Sequence, residues 1–122
     1  MTLMSDPHTK VLLRPRFRIY FGKEIAMGPG KADLLAAIAR TGSIQMGAKS
    51  LKMSYMRAWK LVRVMNECFR NPLVKSIRGG KTKGGAQLTP LGQKVLKLYL
   101  EMEKKSVRAA APIYKKIASE LK

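Results

Sequence analysis

A chain of 122 residues is one domain long, and with 46% hydrophobic residues it can build a core without staples. Its 25 Lys and Arg stand against 7 Asp and Glu, a formal net charge of +18, which repels itself and needs a polyanionic partner: nucleic acid first, an anionic membrane surface second. One cysteine, Cys68, and one histidine, His8, exclude an intrachain disulfide and a four-ligand zinc site, and no run of about 18 apolar residues offers a transmembrane helix.

Residues 1–13 read as a flexible polar tail. It carries Pro7 and His8 and has no apolar h-region, so a secretion signal is not expected and the lone thiol fits a reducing cytoplasm. Phe17, Ile19 and Phe21 alternate with Arg16, Arg18 and Tyr20, the period of a short half-buried strand, and Ile25-Ala26-Met27 can return after a turn at Gly22-Lys23-Glu24. A first helix is predicted over about Pro29 to Thr41, started by a proline tolerated in the first turn and stopped at Gly42, with Leu34, Leu35, Ile38 and Ala39 at helical spacing. Ser43 caps a second helix of about nine residues with Ile44, Gly47, Ala48 and Leu51 on one side; the small pair Gly47-Ala48 lets another helix come close. After a break at Lys52-Met53, Ser54 caps a third helix running to about Arg70, before Asn71-Pro72.

That third helix is amphipathic. Ala58, Leu61, Val62, Met65, Cys68 and Phe69 form its apolar stripe, opposite Met56, Lys60, Arg63 and Glu67. Trp59, at the border, is expected to pack in the core rather than stack on a base. Leu73–Arg78 and Ala86-Gln87-Leu88 can pair as a hairpin around a basic tip with four glycines in seven residues. Gly80-Lys81-Thr82 within it is no phosphate loop, because Lys75 stands where that motif needs its first glycine. Thr89-Pro90 opens a last helix with Leu91, Val95, Leu98, Met102, Ala109, Ile113 and Ile117 near three- and four-residue spacing. Pro112 should kink or divide it. The portion before Pro112 offers about 22 residues, roughly 33 Å, more than one small domain covers, so its stripe should meet a partner chain. The eight methionines read mostly as core or interface filler.

Three helices followed by a two-stranded hairpin give the expected fold class: mainly α with a small β component, a winged helix-turn-helix with a long C-terminal dimerisation helix. The division is a tail at 1–13, the winged helix-turn-helix at 14–92 and the helical dimerisation segment at 93–122. The candidate DNA-binding residues are Ser43 and Gln45 at the second helix, Ser54, Tyr55, Met56, Arg57, Lys60 and Arg63 on the third, and Arg78, Lys81, Thr82 and Lys83 on the wing. Among these, Tyr55, Met56 and Arg57 are placed at base edges and Arg63 on phosphate. Ser43 serves its helix as a cap, and the N–H groups it leaves at that helix start could also meet a phosphate.

The residues Thr41-Gly42-Ser43-Ile44, Gly47-Ala48-Lys49-Ser50-Leu51, Met53-Ser54-Tyr55-Met56-Arg57-Ala58-Trp59, Met65-Asn66, Pro72-Leu73-Val74-Lys75, Gly79-Gly80-Lys81 and Gly84-Gly85-Ala86-Gln87-Leu88-Thr89-Pro90-Leu91-Gly92 resemble the N-terminal DNA-binding domain of the molybdate-responsive ModE-type transcription regulators over roughly residues 33–100. A looser similarity reaches LysR-type helix-turn-helix domains. The resemblance implies a dimeric winged-helix DNA binder, with the third helix in the major groove, the wing on the backbone, and the first and last helices forming the homodimer. Two departures stand out. Family members carry a C-terminal oxyanion-binding module, which 122 residues leave no room for, so molybdate sensing is not expected. The family wing is almost all glycine, whereas this one holds Thr82 and Lys83. The expected function is that of a sequence-specific double-stranded DNA-binding transcription regulator, cytoplasmic and nucleoid-associated; the alternative is an RNA-binding or ribosome-associated basic protein. The scattered acids and the lone histidine give no nucleophile–base pair, so neither an enzyme nor a cofactor is expected.

Overall fold

The alternation of Phe17, Ile19 and Phe21 does produce a ribbon in the computed structural model, which describes residues 10–77 and 85–122. β1 (Ile19–Phe21) pairs antiparallel with β2 (Glu24–Met27) across Gly22, whose φ of +63° is the left-handed turn that glycine adopts freely. The strand is not half-buried as expected. Ile19, Tyr20 and Phe21 are all exposed, and only Phe17, just before the strand, packs against the core. The ribbon has two strands and buries only Ala26 and Met27 of the second, so both faces of the first are left open.

α1 (Pro29–Thr41) has the predicted bounds. It buries Leu34, Leu35, Ala37 and Ile38 completely, while Ala39, expected on the stripe, faces outward. Gly42 closes the helix at φ +82°, its N–H donating to the Ile38 carbonyl at 2.8 Å. α2 (Ile44–Ser50) is shorter than predicted. It lies so close to α1 that a Cβ on Gly47 would stand 3.3 Å from the Ile38 backbone nitrogen, which is the close approach expected of the small pair. α3 (Tyr55–Cys68) ends two residues before the predicted stop. β3 (Val74–Ile77) and β4 (Gly85–Leu88) form the second antiparallel pair, Val74 opposite Leu88 and Ile77 opposite Gly85.

α4 (Pro90–Ala118) is a single helix of 29 residues. Pro112 does not divide it: proline removes one N–H, and since Pro112 and Arg108 are both exposed, water can take the freed carbonyl. The Thr89 hydroxyl accepts from Gly92 N–H at 2.9 Å and donates to the Pro72 carbonyl at 2.7 Å, tying the helix start to the segment before β3. One core joins these elements, with Met27, Leu34, Leu35, Ile38, Met65 and Leu73 fully enclosed. Tyr99 is the deepest contribution of α4. Its hydroxyl donates to the Phe17 carbonyl at 2.8 Å, and burial raises its pKa above the ordinary 10, with Glu103 and Asp33 adding to the rise.

Candidate nucleic-acid interface

The helix-turn-helix begins with a serine cap at each of its two helices. Ser43 Oγ accepts from Met46 N–H at 2.9 Å and Ser54 Oγ from Arg57 N–H at 3.1 Å, each satisfying a donor that the first turn leaves free. Between them the chain turns at Lys52, whose φ of +57° is unusual for a residue with a side chain. The turn is held by Lys52 N–H and Met53 N–H bonding back to the carbonyls of Lys49 and Ala48. Ser43 itself is only 2% exposed, so its hydroxyl belongs to the cap, while Gln45 beside it is exposed.

α3 buries Ala58, Val62 and Met65, and its other side carries Met56, Lys60, Arg63 and Glu67, all exposed as the periodicity predicts. Ser54, Tyr55 and Arg57 are exposed at its tip. Trp59 departs from expectation. It is 43% exposed rather than packed in the core, and the Arg63 guanidinium sits 5.7 Å from the centre of its ring. Arg63 also faces Glu67 one turn on, at 3.6 Å. The indole stands at the stripe's edge because small Ala58 and branched Val62 already fill the space below α3.

The hairpin is anchored to this helix by Asn66, a residue that no periodicity singles out. Its Oδ1 accepts from Leu73 N–H at 2.8 Å and Val74 N–H at 3.2 Å, and its Nδ2 donates to the Val74 carbonyl at 3.1 Å. A second anchor ties β4 to the turn before α2: Ala86 N–H donates to the Gly42 carbonyl at 2.9 Å, and Ser43 bridges Gly85. A cleft of about 260 Å³ remains between α3 and the base of β3, lined by Ile44, Trp59, Val62, Arg63, Val74 and Ser76 among others. Arg63 and Trp59 on α3 therefore adjoin the root of the hairpin at Val74 and Ser76, and Arg57 and Lys60 are exposed on the same helix. The candidates Arg78, Lys81, Thr82 and Lys83 lie outside the described residues. Among the described residues, no group of three His, Cys, Asp or Glu could hold a metal ion, and no helix is long and apolar enough to cross a membrane.

Asn66 was legible only as part of the Met65-Asn66 pair. A polar residue one position after the buried Met65, on a helix that must carry a hairpin, is the signal that could have found it. Lys31 is a second residue the sequence concealed. It is nearly buried at the start of α1, where desolvation lowers its pKa.

This order of elements, with a capped helix-turn-helix and a hairpin locked to its second helix, defines a winged helix-turn-helix. No model of a known protein family matches the chain. Its homologues are ModE- and MopB-type proteins. The chain is 46% identical over 77 residues to the molybdenum-pterin-binding protein MopB of Rhodobacter capsulatus, covering 63% of this chain and 28% of that protein. It is 44% identical over 71 residues to the DNA-binding transcriptional dual regulator ModE of Escherichia coli (strain K12), covering 58% and 27%. To the transcriptional regulator ModE of Haemophilus influenzae it is 33% identical over 97 residues, covering 80% and 36%. The chain thus spans little more than a third, at most, of the relatives it matches. Among solved structures, the DNA-binding domain of CbnR in complex with DNA superposes with a TM-score of 0.56 at 16% identity, over 72% of this chain and 95% of that one. The BenM DNA-binding domain on its benA site 1 DNA superposes at 0.54 and 18%, over 75% and 96%. At such identities the likeness is one of fold.

Proposed function

We propose that this chain is a sequence-specific double-stranded DNA-binding transcription regulator, with α3 in the major groove and the β3–β4 wing along the backbone. The observation that carries the reading is that Asn66 fixes the hairpin root to α3, a helix on which Arg57, Lys60 and Arg63 are exposed, in a chain of net charge +18. An α-helix fits the major groove of B-DNA and is excluded from the deep, narrow one of A-form RNA. The relatives add support: one is named a DNA-binding transcriptional regulator, and the fold neighbours were solved on DNA. The molybdenum-pterin in MopB's name is said of that protein; it is not carried over here, because the match spans only 28% of MopB.

In this reading Tyr55, Met56 and Arg57 approach base edges. Lys60, Arg63 and the cations Arg78, Lys81 and Lys83 neutralise phosphates, assisted by Thr82 and by Gln45 from α2. The protein works as a homodimer. α4 leaves Leu98, Ile113 and Ile117 exposed, the last two by 66% and 63% and beyond Met102, the last residue of the helix packed against the core. A second copy, two-fold related, covers that stripe together with the edge of α1. The deciding experiment is competition between a DNA duplex and an RNA duplex of matched sequence, with binding titrated against salt. DNA should win, and log K should fall steeply with log salt. A flat salt response or a preference for RNA refutes the reading.

A further inference from the structure

The outward residues of the first two turns of α3 are Tyr55, Met56, Arg57, Trp59 and Lys60, and three of these five are apolar or aromatic. Tyr55 is 49% exposed and Met56 61%, and they flank the half-exposed Trp59 within a helical arc of about 100°. Arg63 one turn on and Lys60 beside Met56 border the patch on its solvent side, so a second copy of this chain would bring cations onto cations there, whereas a polyanion meets them with opposite charge.

Base-edge chemistry narrows what such a tip can read. Bidentate recognition of adenine takes Asn or Gln, and the amino group of cytosine takes Asp or Glu; these two turns hold none of the four. Arg57 suits the acceptors of guanine. Thymine alone offers an apolar group in the major groove, its 5-methyl. Resting on the DNA-binding reading above, we infer that the tip of α3 reads thymine by methyl contact: Met56 and the rings of Tyr55 and Trp59 close over 5-methyl groups, and the sites this chain selects carry T·A pairs beneath them.

The test starts from duplexes enriched by the full chain from a random DNA library. In the enriched duplex each thymidine is replaced singly by deoxyuridine, which deletes the methyl and keeps the pairing. Affinity should fall about fourfold for each contacted methyl, at one or two positions per half-site. Met56→Ala and Trp59→Ala remove exposed side chains, so both variants should fold, with a circular-dichroism melt as control. Each should bind the thymidine duplex more weakly and lose the thymidine–deoxyuridine difference at its own position. An enriched duplex on which every replacement stays within about twofold overturns this inference and leaves DNA binding standing. A library from which nothing is enriched overturns both. A fall in the oligomeric state of Met56→Ala or Trp59→Ala without DNA assigns the patch to a second copy and also overturns it.

Discussion

Replacing Asn66 with alanine removes the joint between α3 and the wing. Three hydrogen bonds go at once: two accepted from the amides of buried Leu73 and Val74, one donated to the Val74 carbonyl. A net hydrogen bond contributes about 1 kcal/mol, and a backbone group left unpaired in the interior costs about 1–3. Because these bonds are only partly buried, water recovers some of the loss, and the expected sum is about 3 kcal/mol. With an unfolding entropy of about 2.1 cal/mol/K per residue, that lowers the melting temperature by about 12 °C for a chain of this length. Asn66→Asp keeps both acceptor bonds but turns a carboxylate oxygen toward the Val74 carbonyl, so it should fall between the parent and alanine. Calorimetry and urea unfolding measure both variants, and amide exchange should quicken first at Leu73 and Val74. An alanine variant that melts within about 2 °C of the parent would refute the assignment of Asn66 as the joint.

Among the described glycines compared, Gly92 is where an added methyl should do the most damage. A Cβ there would run into the Leu73 carbonyl, which is backbone and cannot step aside, so a loss of about 3 kcal/mol or more is expected in chemical denaturation. Arg63→Gln and Lys60→Gln should each lower the slope of log K against log salt by about 0.9 while leaving the ranking of DNA sequences unchanged; a variant that relaxes the ranking has lost a base contact instead. Tyr99→Phe deletes the bond to the Phe17 carbonyl, with an expected cost of about 1 kcal/mol at neutral pH. The folded-state pKa of Tyr99 is raised, so its contribution is complete below the unfolded value near 10 and is lost as pH climbs through the folded value. The lowered pKa of Lys31 works in the opposite direction over the same alkaline range. The stability difference between parent and Tyr99→Phe, plotted against pH, isolates the tyrosine; it should shrink above about pH 10, and a constant difference contradicts the burial account.

Local signals made most of this fold legible. The caps at Ser43, Ser54 and Thr89 and the stop at Gly42 act within four residues of themselves, so the sequence marks the helix starts directly. The ends were less secure: α3 finishes at Cys68 because the chain must leave the helix before Pro72, and how far before depends on the path into β3. Trp59 stands 43% exposed because its place at the stripe's edge depends on what fills the space beneath, a tertiary fact that the periodicity does not carry. Asn66 and Gly92 are legible only as letters of a motif; their reasons lie in the Leu73 and Val74 backbone, in another element. The exposure of β1 has the same origin, since an alternating pattern states that one face is apolar and not what covers it.

The proposed dimer carries an internal conflict that can be measured. α4 holds seven Lys and Arg against two Glu, a surplus of five on each copy, and one of the two, Glu101, is already engaged by Lys105 on the same helix at 3.2 Å. Packing two such helices along Leu98, Ile113 and Ile117 gains apolar burial and loses to repulsion between the flanking cations. Screening shortens from about 10 Å at 0.1 M salt to about 3 Å at 1 M, and so removes the repulsion while leaving the apolar term nearly intact. Salt should therefore tighten the free dimer while it weakens DNA binding, two opposite dependences in one protein. Sedimentation equilibrium without DNA, at low and high salt, reads the first, and Ile117→Lys should abolish the dimer at both. A dimer that loosens as salt rises would mean that ion pairs between chains hold it, and the apolar seam on α4 would have to be given up.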